Sequence, residues 1–240
     1  MADRRTLLIM GGLAAGALAL PQVLRWRAPL PEAVPIRSLP GFSRIQGGAI
    51  SAGGAGLVGI DRRPAPPDPI IAAIEADPAA YLFDDTTPGK VPVAVFSDVN
   101  CPNCRAVSAI LVDWLKTGTE PLTITWHELP WLGPTSLIGA KAIYAAEAQG
   151  GGLAMHDRLT STQFRPSPQF LAQIASDIGL DPDGLIADLD SPEVAAKIAR
   201  AEALAYVFGI PGTPALVVGR TLVVGALPES HLRRLVRNAR

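Results

Sequence analysis

The stretch that decides the fold is VFSDVNCPNCR, residues 95–105, which carries the chain's two cysteines, Cys101 and Cys104. The apolar run from Val91 to Val99 leads into it and is typical of a strand buried within a sheet. Apolar residues at helical spacing follow it, and Pro102 suits a first helical turn because its missing N–H needs no partner there. The pattern predicts a strand, a C-x-x-C motif and a helix in direct succession.

This position gives the two thiols different chemistry. Cys101 would meet the unpaired N–H groups and the positive dipole end of the helix, which favour the thiolate and lower its pKa. Cys104, one turn further in, is close enough to form a disulfide with it. One exposed nucleophile and one sheltered resolving thiol are what thiol–disulfide exchange requires. Between them, Pro102 and Asn103 are expected to modulate the thiol pKa.

Two other uses of the cysteines are weaker. A structural disulfide between such near neighbours closes a very small loop and adds little stability through chain entropy. A zinc site needs about four ligands, but His127, His156 and His231 are scattered singly along the sequence. Redox chemistry is therefore favoured, and no metal or other cofactor is expected.

Two polar residues precede the motif. Asp98 could shuttle a proton during resolution if burial raised its pKa, or it could only cap the end of the strand. Asn100 is better placed to be the N-cap of the helix. His127 and Glu128, at the end of the next predicted strand, are interpreted as packing residues.

Composition excludes some classes of function. The chain has 240 residues and a formal net charge of −1, with no basic patch interleaved with aromatic residues, so nucleic acid is not an expected partner. The length suits one sizeable domain with an insertion, or two small domains.

The N-terminus, residues 1–27, has the pattern of a secretory signal peptide. Arg4 and Arg5 precede an uncharged stretch that begins at Thr6. The arginine pair also resembles a twin-arginine signal, and because the uncharged stretch continues to Leu24, an uncleaved membrane anchor is an alternative. Either route predicts a periplasmic or otherwise extracytoplasmic protein, in a compartment where disulfides persist.

Residues 28–87 are rich in proline and glycine and predict a linker or irregular extension, with a short strand or hairpin within Phe42 to Gly59 and loose coverage of the edge of a domain at 88–240. A second strand is predicted from Leu122 to Trp126, because apolar and polar residues alternate there. Mainly helical patterns follow over about 135–208. Ser136 is expected to open the first of these helices.

Capping and turn residues also predict the limits of the later helices and strands. Ser167 and Ser191 each precede a proline and predict helix N-caps. The runs 215–218 and 221–224, joined by Gly219 and Arg220, predict a β-hairpin. Pro228 is expected to start a final helix.

Three stretches resemble one family: VFSDVNCPNCR (95–105), ELPWLGPTSLIGAKAIYAA (128–146) and GIPGTPALVVGRTLVVGA (209–226). With their spacing they resemble the DsbA-like thiol–disulfide oxidoreductases of the thioredoxin superfamily. The resemblance implies an α/β, thioredoxin-like fold with a helical insertion between the second strand and the cis-proline hairpin.

The resemblance also implies roles for residues. Cys101 would be the attacking thiol, Cys104 the resolving thiol and Pro214 a cis-proline facing the disulfide. The exposed backbone of Thr213 would dock an extended substrate chain as an added strand. The dipeptide between the cysteines lacks both the histidine of strongly oxidising members and the Gly-Pro of reducing thioredoxins, so the direction of electron flow is left open.

The first functional hypothesis is an exported dithiol oxidase acting on cysteine-containing exported proteins, recycled by a membrane redox partner. A reductase or isomerase kept reduced by a membrane partner is the alternative. A thiolate copper carrier is a remote third hypothesis, because none of the three methionines lies near the motif. No dimerisation stalk is evident, which favours a monomer.

Overall fold

The computed structural model describes residues 29–52, 65–162 and 167–240. The predicted signal peptide or anchor, residues 1–27, lies outside the described residues, as do residues 53–64 of the predicted extension. Within the described part of the chain, no helix is both long enough and apolar enough to cross a membrane.

One sheet organises the molecule. Its described strands are β1 (Val34–Pro35), β2 (Ser43–Gln46), β3 (Val91–Ser97), β4 (Leu122–Glu128), β5 (Ala215–Val218) and β6 (Thr221–Val224). Their order across the sheet is β1-β2-β6-β5-β3-β4. β3 is parallel to β4 and antiparallel to β5, and β2 is parallel to β6. The strand that leads into the C-x-x-C motif therefore has a partner on each side.

Helices surround this sheet. The described helices are α1 (Asp68–Ala76), α2 (Pro78–Leu82), α3 (Pro102–Thr117), α4 (Pro134–Ala148), α5 (Gly152–Ser161), α6 (Pro168–Asp177), α7 (Pro182–Asp188), α8 (Pro192–Val207) and α9 (Glu229–Asn238). α3 follows β3, and α4 to α8 lie in the sequence between β4 and β5.

The sheet separates two parts of the core. Successive residues of a strand point to opposite faces, and in β3 Ala94 and Phe96 pack in a cluster with Phe208. Val93 and Val95 face the other way and belong to the cluster that contains Trp114 of α3, among others. Since β3 is covered on both faces, its apolar residues do not alternate with polar ones, as the sequence predicted.

The proline- and glycine-rich extension contributes to this core, which corrects the expectation of a boundary at residue 88. Ile45 of β2 is buried in the cluster that contains Trp114. Ile74 and Leu82, from α1 and α2, are fully buried in the cluster that contains Phe208. The described parts of the extension therefore pack as part of the same fold, because their few apolar residues face the sheet and its helices.

Two capping predictions are confirmed and one helix start was wrong. Ser167 and Ser191 are N-caps whose hydroxyls accept backbone N–H bonds from Phe170 and Val194. Ser136 does not open α4, which begins at Pro134. The Ser136 hydroxyl instead donates to a carboxylate near the cysteines.

The hairpin places the proline loop beside the cysteine motif. β5 and β6 are joined by Gly219, whose φ of 57° is accessible to glycine, and Arg220. In the pairing of β3 with β5, Ala215 lies opposite Phe96. Pro214, one residue before β5, therefore lies near the end of β3 that leads to Cys101.

Candidate active site

The cysteine pair lies at the start of α3. Cys101 is the N-cap residue, and its Sγ accepts a 3.1 Å hydrogen bond from the backbone N–H of Cys104. The two cysteines form a disulfide with their Cα atoms 5.2 Å apart. Unpaired N–H groups and the dipole of this 16-residue helix favour negative charge at that end. The helix start can therefore stabilise a thiolate at Cys101 once the disulfide opens.

The prediction that Asn100 is the N-cap of this helix was wrong. The N-cap is Cys101, whereas the Asn100 side chain donates to the hydroxyls of Thr135 and Ser136 in α4. The preferred N-cap residues carry a side-chain oxygen as acceptor, whereas here the acceptor is the Cys101 sulfur. Asn100 instead ties the loop before the motif to α4.

Neither cysteine is exposed in the disulfide form. Cys101 has a relative exposure of 0% and Cys104 of 1%. The sequence predicted an exposed Cys101, because the end of a helix facing a loop is usually open to solvent. This expectation was wrong for the structure as it stands, and a substrate sulfur cannot reach Cys101 without a local opening.

The loop before β5 lies directly against the disulfide. The Thr213–Pro214 peptide bond is cis. The carbonyl oxygen of Thr213 is 3.5 Å from the Sγ of Cys101. Pro214 accepts a 2.9 Å hydrogen bond from the N–H of Gly225, which holds the loop to the end of β6. The structure thus brings Cys101, Cys104, Thr213 and Pro214 together.

Asp98 is buried and its carboxylate is fully engaged. One oxygen accepts from the N–H of Asn100 at 2.8 Å and from the hydroxyl of Ser136 at 2.7 Å. The other accepts from the backbone N–H groups of Trp131 and Leu132 at 2.8 and 3.0 Å. By accepting these four hydrogen bonds, Asp98 joins the loop before the C-x-x-C motif to the segment after β4.

Ser51 is a neighbour of the disulfide that sequence reasoning missed. Its hydroxyl is 3.5 Å from the Sγ of Cys101 and 3.5 Å from the side-chain nitrogen of Asn103. Ser51 comes from the glycine-rich segment that follows β2. A serine in a glycine-rich stretch carries no sequence signal for a site 50 residues away.

A buried polar chain runs beneath α3. The Ser108 hydroxyl is 3.0 Å from Nε2 of His156, and Nδ1 of His156 is 2.7 Å from a carboxylate oxygen of Glu128. Trp126 packs against the imidazole with ring centroids 3.9 Å apart. Because Ser108 lies one turn beyond Cys104 on the same helix, this chain braces the buried face of the helix that carries the motif.

His127 has a separate environment on the other face of β4. It is buried, stacks on Phe96 with ring centroids 5.0 Å apart, and Nε2 lies 3.0 Å from the carbonyl oxygen of Leu82. Burial lowers its pKa from 6.5 to about 4. Since a carbonyl only accepts, Nε2 carries the proton and donates it.

In the described ranges there is no group of three or more His, Cys, Asp or Glu residues placed to hold a metal ion. The three histidines occupy separate surroundings, and two of them take part in the packing just described.

Comparison with known proteins places these features in one family. A family model described as a DSBA-like thioredoxin domain matches residues 92–237. A thioredoxin-like oxidoreductase from Silicibacter pomeroyi DSS-3 superimposes with a TM-score of 0.60 at 34% identity, over 67% of this chain and 96% of that one. The thiol–disulfide exchange protein alpha-DsbA2 from Wolbachia pipientis has a TM-score of 0.62 at 22% identity, over 72% and 97% of the two chains, and shows the shared fold.

Curated relatives match over part of their length. The thiol:disulfide interchange protein DsbA of Bordetella parapertussis is 26% identical over 138 residues, which are 55% of this chain and 65% of that protein. The Na(+)/H(+) antiporter NhaA 3 of Salinispora tropica is 31% identical over 139 residues, which are 55% of this chain but 21% of the antiporter. The matched region is therefore under two thirds of either relative.

Proposed function

This chain belongs to the DsbA-like thioredoxin domain family, and from that premise we propose that it is an exported dithiol oxidase that passes the Cys101–Cys104 disulfide to substrate proteins. A substrate thiolate attacks the Sγ of Cys101, the bond to Cys104 breaks, and Cys104 leaves as a thiolate. A second substrate thiolate then attacks the substrate sulfur of this mixed disulfide and releases the Cys101 thiolate. The substrate gains one disulfide, and the protein takes up two electrons.

The observation that carries this proposal is the placement of Cys101 as the N-cap of α3, with the Cys104 N–H directed at its sulfur. The same interactions that stabilise a Cys101 thiolate make it a good leaving group in the second step. Stabilising the reduced form also makes the disulfide a stronger oxidant. This favours the oxidase direction over a reductase.

The position of Thr213 supports the docking of a substrate strand beside the disulfide. Its carbonyl lies 3.5 Å from the Cys101 sulfur, so an extended chain paired with the Thr213 backbone would bring its own cysteine close to that sulfur. The expected substrates are exported proteins with reduced cysteines. A membrane partner would reoxidise the enzyme after each cycle, and the working unit would be a monomer.

The reduction potential tests the direction. We expect the Cys101–Cys104 couple, equilibrated with glutathione, to lie on the oxidising side of about −150 mV. A value near about −250 mV or below would support the reductase or isomerase alternative. In the variant Asn103→His, a cation beside the thiolate should shift the couple further toward oxidising values, whereas Asn103→Gln serves as the neutral control.

Trapping tests the chemistry. The variant Cys104→Ala lacks the resolving thiol and should accumulate covalent adducts with substrate proteins that reductant releases on gels. Cys101→Ala is the matched control and should form none. If Cys104→Ala gives only free monomer, exchange through a mixed disulfide on Cys101 is refuted.

Export is tested by locating the chain in cells. With Arg4 and Arg5 ahead of an uncharged stretch, we expect the protein in the periplasmic fraction after signal cleavage. Recovery at full length in the membrane fraction would instead favour the anchor. Replacing both arginines by lysine distinguishes twin-arginine export, which should fail, from general secretion, which should tolerate the change.

A further inference from the structure

The segment after β2, residues 47–51, crosses the end of the β5–β6 hairpin and reaches the disulfide; we call it the strap. The N–H of Gly47 donates to Val224 at 2.7 Å, and the N–H of Gly48 donates to Ala226 at 2.7 Å. Ala226 donates back to the carbonyl of Ala49 at 3.2 Å. The strap is therefore held along its length by backbone hydrogen bonds.

At its end the strap pairs with the residue before the cis-proline. The N–H of Ser51 donates to the carbonyl of Thr213 at 2.6 Å, and the N–H of Thr213 donates to the carbonyl of Ser51 at 2.9 Å. This is an antiparallel β-bridge. Both backbone groups with which Thr213 would bind a substrate strand are already occupied by the chain itself.

The packing around Gly212 shows that the loop before Pro214 accommodates the strap closely. A Cβ atom at Gly212 would lie 2.7 Å from the carbonyl oxygen of Ser51 and 3.2 Å from the side chain of Ile50. Ile50 is partly buried against the core cluster that contains Phe208. The residue next to Thr213 thus leaves room for the strap, and the strap has an apolar anchor one residue before Ser51.

The side chain of Ser51 lies against the sulfur that a substrate cysteine would attack. Its hydroxyl oxygen is 3.5 Å from the Sγ of Cys101, which is fully buried. Serine and cysteine differ in one atom, so a cysteine at this position would place a third sulfur beside the two of the disulfide. The strap therefore combines an antiparallel backbone pairing at Thr213 with a side chain directed at the Cys101 sulfur, as the proposed docking of a substrate strand requires.

We propose that residues 47–51 are an intramolecular pseudosubstrate, which occupies the peptide-binding edge at Thr213 and must leave before a substrate strand can pair there. This rests on the proposed function. The sequence of the strap indicates the class of substrate that would take its place. This substrate is an extended polypeptide with a cysteine at the position of Ser51 and an aliphatic residue at the position of Ile50. Displacement of the strap would also open the way to the Cys101 sulfur.

The geometry is tested by cross-linking. In the double variant Ser51→Cys/Cys104→Ala, oxidised glutathione should convert the introduced thiol and Cys101 into one intramolecular disulfide, with release of two molecules of reduced glutathione. The matched control is Ala52→Cys/Cys104→Ala, whose thiol is one residue further along and, in an extended strand, on the opposite face. Peptide mapping by mass spectrometry follows both reactions over time.

We expect the Ser51→Cys variant to form the intramolecular disulfide at least about tenfold faster than the control, because its sulfur starts beside that of Cys101 in the structure. Equal rates in the two variants, or a thiol at position 51 that ends only as a glutathione adduct, would overturn the placement of the strap.

Occlusion is tested by kinetics with the peptide Gly-Gly-Ala-Ile-Cys-Ala, which copies residues 47–52 with a cysteine in place of Ser51. Ser51→Pro removes the N–H that binds Thr213, whereas Ala52→Ser, at an exposed position, leaves both hydrogen bonds between Ser51 and Thr213 in place. Loss of one net hydrogen bond should raise the rate of reduction of the enzyme by the peptide about two- to tenfold in Ser51→Pro. Ala52→Ser should stay within about twofold of the wild type, since the backbone pairing of the strap is intact.

A third variant, Ile50→Ser, weakens the apolar anchor and should raise the rate in the same direction. If Ser51→Pro and Ile50→Ser both react at the wild-type rate, the strap does not limit access and the proposal fails. That outcome leaves the oxidoreductase proposal standing. Failure of the wild-type disulfide to exchange with dithiothreitol or any peptide thiol would instead refute the proposed function.

Discussion

The pH dependence of stability provides a quantitative test of the buried environment of His127. His127 belongs to β4, and its imidazole is buried on one face of that strand, where it stacks on Phe96 and donates to the carbonyl of Leu82. Burial, the largest cause, lowers its pKa to about 4, with a smaller contribution in the same direction from the charge of Arg200. The perturbation is the variant His127→Gln, whose amide can still donate to Leu82 but does not titrate.

The sign and size follow from proton linkage. The unfolded chain binds a proton near pH 6.5, whereas the folded chain does so only near pH 4. Between these values the unfolded state holds more protons, so stability is fully present above the unfolded pKa and is lost as the pH falls. Integrating the two titrations from about pH 7.5 to about pH 5 gives a loss of about 2 kcal/mol from this one group.

The assay is urea unfolding of the wild type and His127→Gln at a series of pH values. The variant carries a constant offset from altered packing, but the difference in free energy of unfolding between the two proteins should shrink by about 2 kcal/mol between about pH 7.5 and about pH 5. Other titrating groups are common to both proteins and cancel. A difference that stays constant across this range would refute the argument that His127 is held neutral by burial.

Three further substitutions test the surroundings of the motif. Asp98→Asn should cost about 2–4 kcal/mol in urea unfolding, because an amide can no longer accept from all four donors; unchanged stability with slower exchange would indicate a proton shuttle instead. Gly139→Ala should cost about 1–3 kcal/mol, since its new Cβ would lie 2.6 Å from a methyl of Val99; a stability gain, as expected for an ordinary helical glycine, would contradict this. Ser191→Ala should lower the free energy of unfolding by about 1 kcal/mol through loss of the N-cap bond to Val194, with exposed Ser161→Ala as the control.

Local signals in the sequence were sufficient for the elements nearest the motif. Pro102 begins α3, as its fit to a first helical turn predicted. The hairpin also has its predicted limits, 215–218 and 221–224. Proline, glycine and apolar runs act over a few residues, so these limits need no knowledge of tertiary partners. The family resemblance drawn from three stretches is confirmed by the family model over residues 92–237.

Side-chain partners at the site were harder to predict because they come from distant parts of the chain. For Asp98 the sequence offered two roles, a proton shuttle or a cap at the strand end, and did not indicate that three of its four donors, Trp131, Leu132 and Ser136, come from the segment after β4. Asn100 was predicted as a cap, but its partners lie 35 and 36 residues away. A single sequence shows which side chains can form hydrogen bonds, but it does not show which of them come into contact in the folded chain.

The strap shows why composition alone did not predict the specific packing of residues 28–87 that the structure describes. Glycine-rich sequence is typical of linkers, but here two glycines are needed for contact: a Cβ at Gly48 would lie 2.5 Å from the carbonyl oxygen of Ala226, and one at Gly47 would lie 2.7 Å from that of Gly225. The pairing of β2 with β6 joins residues about 180 apart in sequence, as in Ser43 with Thr221, and no local pattern encodes it. A glycine that makes a loop flexible cannot be distinguished in the sequence from a glycine that allows two backbone segments to pack closely. Only the position of the neighbouring segment in the structure distinguishes the two. The burial of Cys101 could not be predicted for the same reason, because Ser51, which lies against its sulfur, comes from a stretch for which only loose coverage of the domain edge was predicted.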